Sequence, residues 1–198
     1  LHALLAYGEG FRSPQARGLA DGEKTPFTEV RSFEVGIRHS TEAFHGSLSA
    51  FRSSLSSDLV FDPVTTRNEA VPGTTRVGLA FEYVLRPLNF VMSSGSVTWT
   101  EATFDGSDGQ YRRGDKIPYV PQLIVRQDVA FTPTLGRLFS RALRGRFGAG
   151  LTGMFNRPQP YGAFGHDVFL MDLAAELRLQ EVSLGVDCFN LLDARWFD

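Results

Sequence analysis

Between Phe169 and Leu179 every second residue is apolar: Phe169, Met171, Leu173, Ala175, Leu177 and Leu179. Asp172, Ala174, Glu176 and Arg178 stand between them. A period of two describes a strand whose faces meet different surroundings. After Gln180 and Glu181 the pattern resumes, with Leu184, Val186 and Cys188 against Ser183, Gly185 and Asp187. One oily and one wet face, repeated along the chain, describe a wall between lipid and water.

Nine segments read as strands: residues 2–7, 32–39, 44–61, 74–85, 90–104, 123–132, 146–156, 169–179 and 183–188. Several exceed the ~5–6 residues usual in globular proteins and match the ~9–11 of a tilted membrane-spanning strand. The pattern places Phe81, Leu151, Leu173 and Val186 on a convex lipid face. Arg76, Asp172, Glu176 and Asp187 fall on the concave side. Residues 53–57 read as a bulge. The connections alternate in length. Residues 39–43, 85–88 and 180–181 are short, whereas 9–30, 105–121 and 157–166 are long and rich in Gly, Pro and charge. Short turns on one rim and long loops on the other mark outer-membrane barrels. Residues 61–67 are intermediate. Residues 133–145 are long where a short turn is expected. There Arg137, Arg141 and Arg144 recur at helical spacing among Leu135, Leu138, Phe139 and Leu143. This reads either as an amphipathic helix in the membrane interface or as a basic turn.

Composition narrows the class. The longest uncharged runs fall short of the ~20 apolar residues of a spanning helix. Barrel strands escape that test, because half of each strand is polar. The 198 residues include 20 Gly and 17 Phe, which suit curved sheets and a lipid face. A net charge of -2 gives no support for nucleic-acid binding. The single cysteine, Cys188, excludes an internal disulfide framework and a thiolate metal cluster. His2, His39, His45 and His166 lack zinc-ligand spacing, so no metal site or cofactor is expected. No catalytic constellation stands out.

Short motifs in order resemble the C-terminal half of the barrel in TonB-dependent outer-membrane receptors. Residues 6–14, AYGEGFRSP, resemble the family's "Y…GFRxP" strand and loop, and residues 33–38, FEVGIR, its "xElGxk" strand. Phe51, Asp58-Leu59-Val60, Asn68 and Arg76-Val77-Gly78-Leu79 resemble its "F…dLi…N…xGvE" block. Residues 117–121, IPYVP, and 186–193, VDCFNLLD, resemble "iPxvP" and "v.NlfD". Ala80 departs, standing where the family usually has Glu.

The resemblance implies an all-β fold: an antiparallel meander of about nine long strands, part of a transmembrane β-barrel that has 22 strands in the family. Residues 1–198 would be a partial barrel, without the plug, the earlier strands and the last strand. It implies the Gram-negative outer membrane and energy-dependent uptake of a scarce ligand, such as a ferric siderophore or cobalamin. The implied partners are outer-membrane lipid, a small metal chelate, and the TonB complex acting through the plug, with no nucleic acid. A plug-less passive or structural barrel and a soluble β-sandwich binding module stay open as alternatives. Substrates in this family sit under the extracellular loops. The loop candidates for ligand contact are Arg12, Tyr111, Arg112, Arg113, Lys116, Tyr119 and Tyr161, which suit an anionic aromatic complex. Arg137, Arg141, Arg144 and Trp99 are the membrane-interface candidates, and Trp196 also reads as a girdle or rim residue.

Overall fold

The period-two pattern folds as read. The computed structural model describes residues 1–13 and 27–195. Its strands are β1 (His2–Arg12), β2 (Thr28–Ser40), β3 (Phe44–Asp62), β4 (Arg67–Leu88), β5 (Val91–Phe104), β6 (Leu123–Phe131), β7 (Thr134–Leu138), β8 (Arg141–Phe155), β9 (Arg157–Pro158), β10 (Phe164–Gly165), β11 (Val168–Leu179) and β12 (Val182–Cys188). One antiparallel sheet runs β1-β2-β3-β4-β5-β6-β8-β11-β12, nine strands in chain order, with β7 paired to β8 as a tenth. β9 and β10 form a small separate ladder. Trp196 lies outside the described residues, as does much of the first long loop.

The register gives the tilt. One hydrogen-bonded row runs from Ser40, at the end of β2, through His45, Val84, Ser94, Asp128 and Gly150 to Asp172. Asp172 stands seven residues short of Leu179, the end of β11. With the short turns as one rim, that is seven residues of stagger over six strand steps. At ~3.3 Å per residue and ~4.8 Å per strand, the strands tilt by about 39°, within the ~35–45° of transmembrane barrels.

The two faces separate as expected. Phe81 shares a row with Leu48, Ile37, Val97 and Val125, and Leu173 with Ala149 and Cys188. Val186 lies opposite Ala175, and Leu151 between Gln127 and Met171, on the same convex side. From Phe169 to Leu179 the apolar stripe rises about 26 Å at this tilt, the height of an outward apolar band. The band ends upward at Trp99, which pairs with Leu79 and Leu123; the next row up carries Arg52 and Glu101. The other face is concave and wet. Glu34, Arg38, Ser49, Ala80, Glu82 and Thr98 line a groove of about 650 Å³ there. Arg126, Asp128, Arg146, Asp172 and Asp187 line another. Arg126 ties this wall together. It donates from Nε to Asp128 (2.8 Å), and from Nη1 to Thr152 (2.7 Å) and Asp172 (3.1 Å). Asp172 in turn accepts the Asn190 N–H at 3.0 Å.

The intermediate connection at residues 61–67 resolves itself. β3 and β4 run 19 and 22 residues, about twice a membrane span, so their hairpin climbs past the band. The long loop expected at that rim is built as strand. Its inward positions also change parity. Below Ser56 and Gly73 the inward residues of β4 are Thr74, Arg76 and Gly78. Above them Asp58, Val60, Asp62 and Val71 are buried instead. Asp58 and Thr74 nevertheless hydrogen-bond each other, so both point inward. The ladder has no partner at Ser56 and Gly73, between Leu55–Thr74 and Ser57–Pro72, and the switch occurs there. One residue is skipped on each strand and the register is the same on both sides, so the bulge expected at 53–57 is not present.

Residues 133–145 form no helix; the alternative of an interfacial helix is overturned. Thr134–Leu138 is a strand that doubles back onto β8 through Phe139 and Ser140, at φ 51° and 64°. Two left-handed residues in succession make the tight turn of a hairpin. Pro133 lacks the N–H to continue β6, and Gly136 at φ 146° is outside helical space. The hairpin divides the arginines by face. Arg141 is outward with Leu138 and Leu143, and bonds Gln180, whereas Arg137 and Arg144 face inward. Gly136→Ala, in open space but at a φ that side chains avoid, should destabilise the hairpin by about 1 kcal/mol. Amide exchange of β7, faster in the variant with the rest of the sheet unchanged, checks this.

Candidate binding site at the long-loop rim

The long loops fold onto one another rather than splaying. After β5 the chain turns back along it. Phe104 accepts the Gly114 N–H, Ala102 accepts that of Ile117, and Thr103 bridges Lys116. This brings Tyr111 flat onto Phe104, with centroids 4.5 Å apart and planes at 23°. Phe104, Tyr111, Val60, Val71, Ala102 and Ile117 form a buried cluster, and Tyr119 and Val120 pack against it. Apolar residues so close to a rim need a dry interior of their own, and the β3–β4 hairpin supplies its wall. The loop before β11 joins from the far side, where Tyr119 donates its N–H to Pro158 at 2.8 Å. Tyr161, in the 3-10 turn Pro160–Gly162 at φ 64°, donates its hydroxyl to Asp62 at 2.9 Å. Arg157 is buried and donates to the His166 carbonyl.

A charged clamp lies beneath. The buried Asp58 receives Arg76 at 2.5 Å, Thr74 Oγ1 at 3.2 Å, the Leu59 N–H at 2.9 Å and Arg12 at 3.4 Å. It thereby joins β1, β3 and β4. Burial alone would raise its pKa, but the hydrogen bond from Arg76, the Leu59 N–H and the Arg76 charge outweigh it. The carboxyl is held below the ordinary value. The phenols shift upward. Burial is the main cause for Tyr111 and Tyr119, and the bond to Asp62 for Tyr161. All three stay protonated at neutral pH; Tyr119 offers an O–H donor, while the O–H of Tyr161 is already given to Asp62 and leaves its ring face.

The structure sorts the loop candidates. Tyr161 is exposed and Tyr119 half-exposed, both at the junction of loops. Arg112 and Arg113 are exposed. Their backbone N–H groups are pinned by Asp115 and Ser107, and their side chains have no ion pair among the described residues. Tyr111 is buried and holds the platform together. Arg12 is engaged by Asp58. Lys116 pairs with Glu101 on the outward side of β5, because its bridge partner Thr103 lies opposite the outward Thr75. Sequence reasoning missed Asp58, Asp62, Thr74 and Arg157. Only Asp58 left a signal, within the Asp58-Leu59-Val60 motif.

Residues 2–191 match the family model described as TonB dependent receptor-like, beta-barrel. The chain belongs to that family. No curated protein matches its sequence. Two similar solved structures are of receptor and transporter chains. BauA, the ferric preacinetobactin receptor from Acinetobacter baumannii, is 16% identical with TM-score 0.78, over 98% of this chain and 30% of that one. The copper transporter OprC is 10% identical with TM-score 0.73, over 98% of this chain and 32% of that one. The chain thus spans about a third of their length. At these identities the likeness is one of fold.

Proposed function

We propose that this chain is part of the 22-stranded barrel of a longer outer-membrane receptor, with the plug and further strands supplied by the rest of that protein. Its function is energy-dependent uptake of a scarce ligand through TonB, not catalysis. One observation carries the reading: a platform of loops, bearing free arginines and protonated tyrosines, stands over the wet side of a tilted sheet with a lipid-height apolar stripe. A whole chelate, anionic and aromatic, suits that chemistry. Arg112 and Arg113 supply charge, Tyr119 supplies an O–H donor, and Tyr119 and Tyr161 supply ring faces. One structural neighbour is a ferric preacinetobactin receptor and the other a copper transporter, which favours a metal complex here.

Arg112→Ala with Arg113→Ala in the full-length receptor is expected to weaken binding about tenfold or more, leaving outer-membrane levels unchanged. Growth of a deletion strain on defined iron, copper and cobalamin sources identifies the ligand. Titration of that ligand into both proteins then reads the affinity. Equal affinities would remove the pair from the site.

A further inference from the structure

A polar ring stands on the lipid side of the sheet. Tyr83, Gly95 and Gln127 share one outward row with Leu151 and Met171, and Ser93 lies two residues below Gly95 on the same face. Tyr83 donates its hydroxyl to Gln127 Oε1 at 2.7 Å, and Gln127 Nε2 donates to Ser93 Oγ at 2.9 Å. Ser93 Oγ lies 3.2 Å from the Tyr83 hydroxyl and returns the third bond. Gln127 Nε2 also reaches the carbonyls of Ser94 at 3.1 Å and Asp128 at 3.0 Å. Gly95 makes room for the ring: a Cβ there would meet Tyr83 at 2.8 Å and Gln127 Oε1 at 2.9 Å. Met171 stands eight residues above Leu179, and Gln127 lies two strand steps from Met171. At the tilt derived from the register, Gln127 is about 15 Å above the short-turn rim, inside the apolar stripe. Hydrocarbon offers an amide no water, so polar groups there pair with one another or go unsatisfied.

The ring crosses a seam whose register no short turn sets. β4 and β5 are joined by residues 89–90, and a tight turn fixes how such strands pair. β5 and β6 are joined by residues 105–122, long enough to absorb a slip of two residues. That slip keeps every outward residue outward, because side chains alternate with period two, so lipid does not reject it. It does open the ring: the place beside Gly95 passes from Gln127 to Val125 or Val129, and Tyr83 loses its acceptor. We propose that Gln127, with Tyr83 and Ser93, sets the register of the β5–β6 seam and so positions the loop platform. One arm of the β5–β6 connection is zipped to Ala102 and Phe104 of β5. The other arm gives the Tyr119 and Gln122 N–H groups to Pro158 and Asn156, past the end of β8. A two-residue slip would displace one arm against the other by about 7 Å. Gln127 is thus a positioning residue, far below any ligand, and the register it sets is independent of the ligand proposed above.

Disulfide trapping in the full-length receptor, carrying Cys188→Ala, reads the register. Thr98 lies directly opposite Ile124 on the inner face, and Ser96 and Thr100 stand diagonal to Ile124. Opposite residues have Cβ atoms ~4.5–5.5 Å apart, whereas diagonal neighbours stand ~7–8 Å apart, beyond disulfide reach. In the parent, oxidation should join Thr98→Cys to Ile124→Cys, and should join neither Ser96→Cys nor Thr100→Cys to Ile124→Cys. Tyr83→Phe with Ser93→Ala and Gln127→Met removes the ring while keeping its bulk and suiting lipid. These changes should raise the slipped disulfides, at positions 96 and 124 or 100 and 124, tenfold or more. Ala80→Cys with Thr98→Cys, across the seam that the short turn sets, should form its disulfide equally in both backgrounds. Heat-modifiable migration on gels verifies assembly, and Gln127→Met alone serves if the triple variant fails to assemble. Trapping in the native register alone would overturn the proposal. A matching loss of the disulfide between positions 80 and 98 would also overturn it, since that marks general loosening. Trapping needs no ligand, which separates this result from failure of the uptake reading.

Discussion

Leu173→Arg is expected to destabilise the barrel by about 2–4 kcal/mol in lipid, the cost of a cation near the bilayer midplane. Leu173 stands six residues above the end of β11. At the tilt derived from the register that is about 15 Å above the short-turn rim, near the middle of the apolar stripe. Ala174, next in sequence, points into the lumen beside Asp187 and Gly148. Ala174→Arg should cost less than about 1 kcal/mol, because water and a carboxylate meet the new charge. Denaturant titrations of the full-length receptor in vesicles measure both. Equal costs would overturn the sidedness on which the fold and the groove depend. Asp172 is a poorer control than its alternation alone suggests. It binds Arg126 and caps the Asn190 N–H, so Asp172→Asn also loosens a network.

Alternation revealed the sheet because burial in lipid imposes it residue by residue. Where lipid stops, the code stops too. The β3–β4 hairpin above Gly73 is wet outside and packed inside by loop residues. Its inward parity switches at Ser56 and Gly73, which no period-two reading crosses. The hairpin of residues 133–145 misled for a different reason. Its arginines fall at helical spacing, yet a bulge at Leu135 and turn residues at Phe139 and Ser140 reproduce that spacing in a strand pair. Pro133 and Gly136 were the local signals against a helix.

The loop site was legible by residue type and not by partner. Tyr111, Arg112 and Arg113 are adjacent, but one is swallowed by stacking on Phe104 while the others reach solvent. Lys116 looked like its neighbours and faces outward because the loop zips onto β5. Asp62 and Tyr161 are ninety-nine residues apart and meet only through the fold. Long-range contacts of this kind carry no spacing rule, and neither does the clamp on Asp58.

That clamp yields the second large effect. Asp58→Ala removes the one carboxylate shared by Arg76, Thr74 and Arg12, and leaves Arg76 pointing into a partly buried space. Removing one member of a buried pair costs about 3–5 kcal/mol. Arg76 and Arg12 keep 26% and 45% side-chain exposure, so water recovers part of this, and about 2–3 kcal/mol is expected. Arg12→Ala, removing the more exposed partner, should cost under about 1 kcal/mol. Acid should mimic the large effect. The folded carboxyl is held below its unfolded value, so its contribution is complete above the ordinary Asp range near ~3.9. It is lost as pH falls through the lower folded value. The loss should be local: amides of Leu59, Thr74 and the loop after Phe104 should exchange faster, while β11 and β12 keep their protection. Wild-type protection of the loops in Asp58→Ala would show that the platform is held by the Phe104–Tyr111 cluster alone.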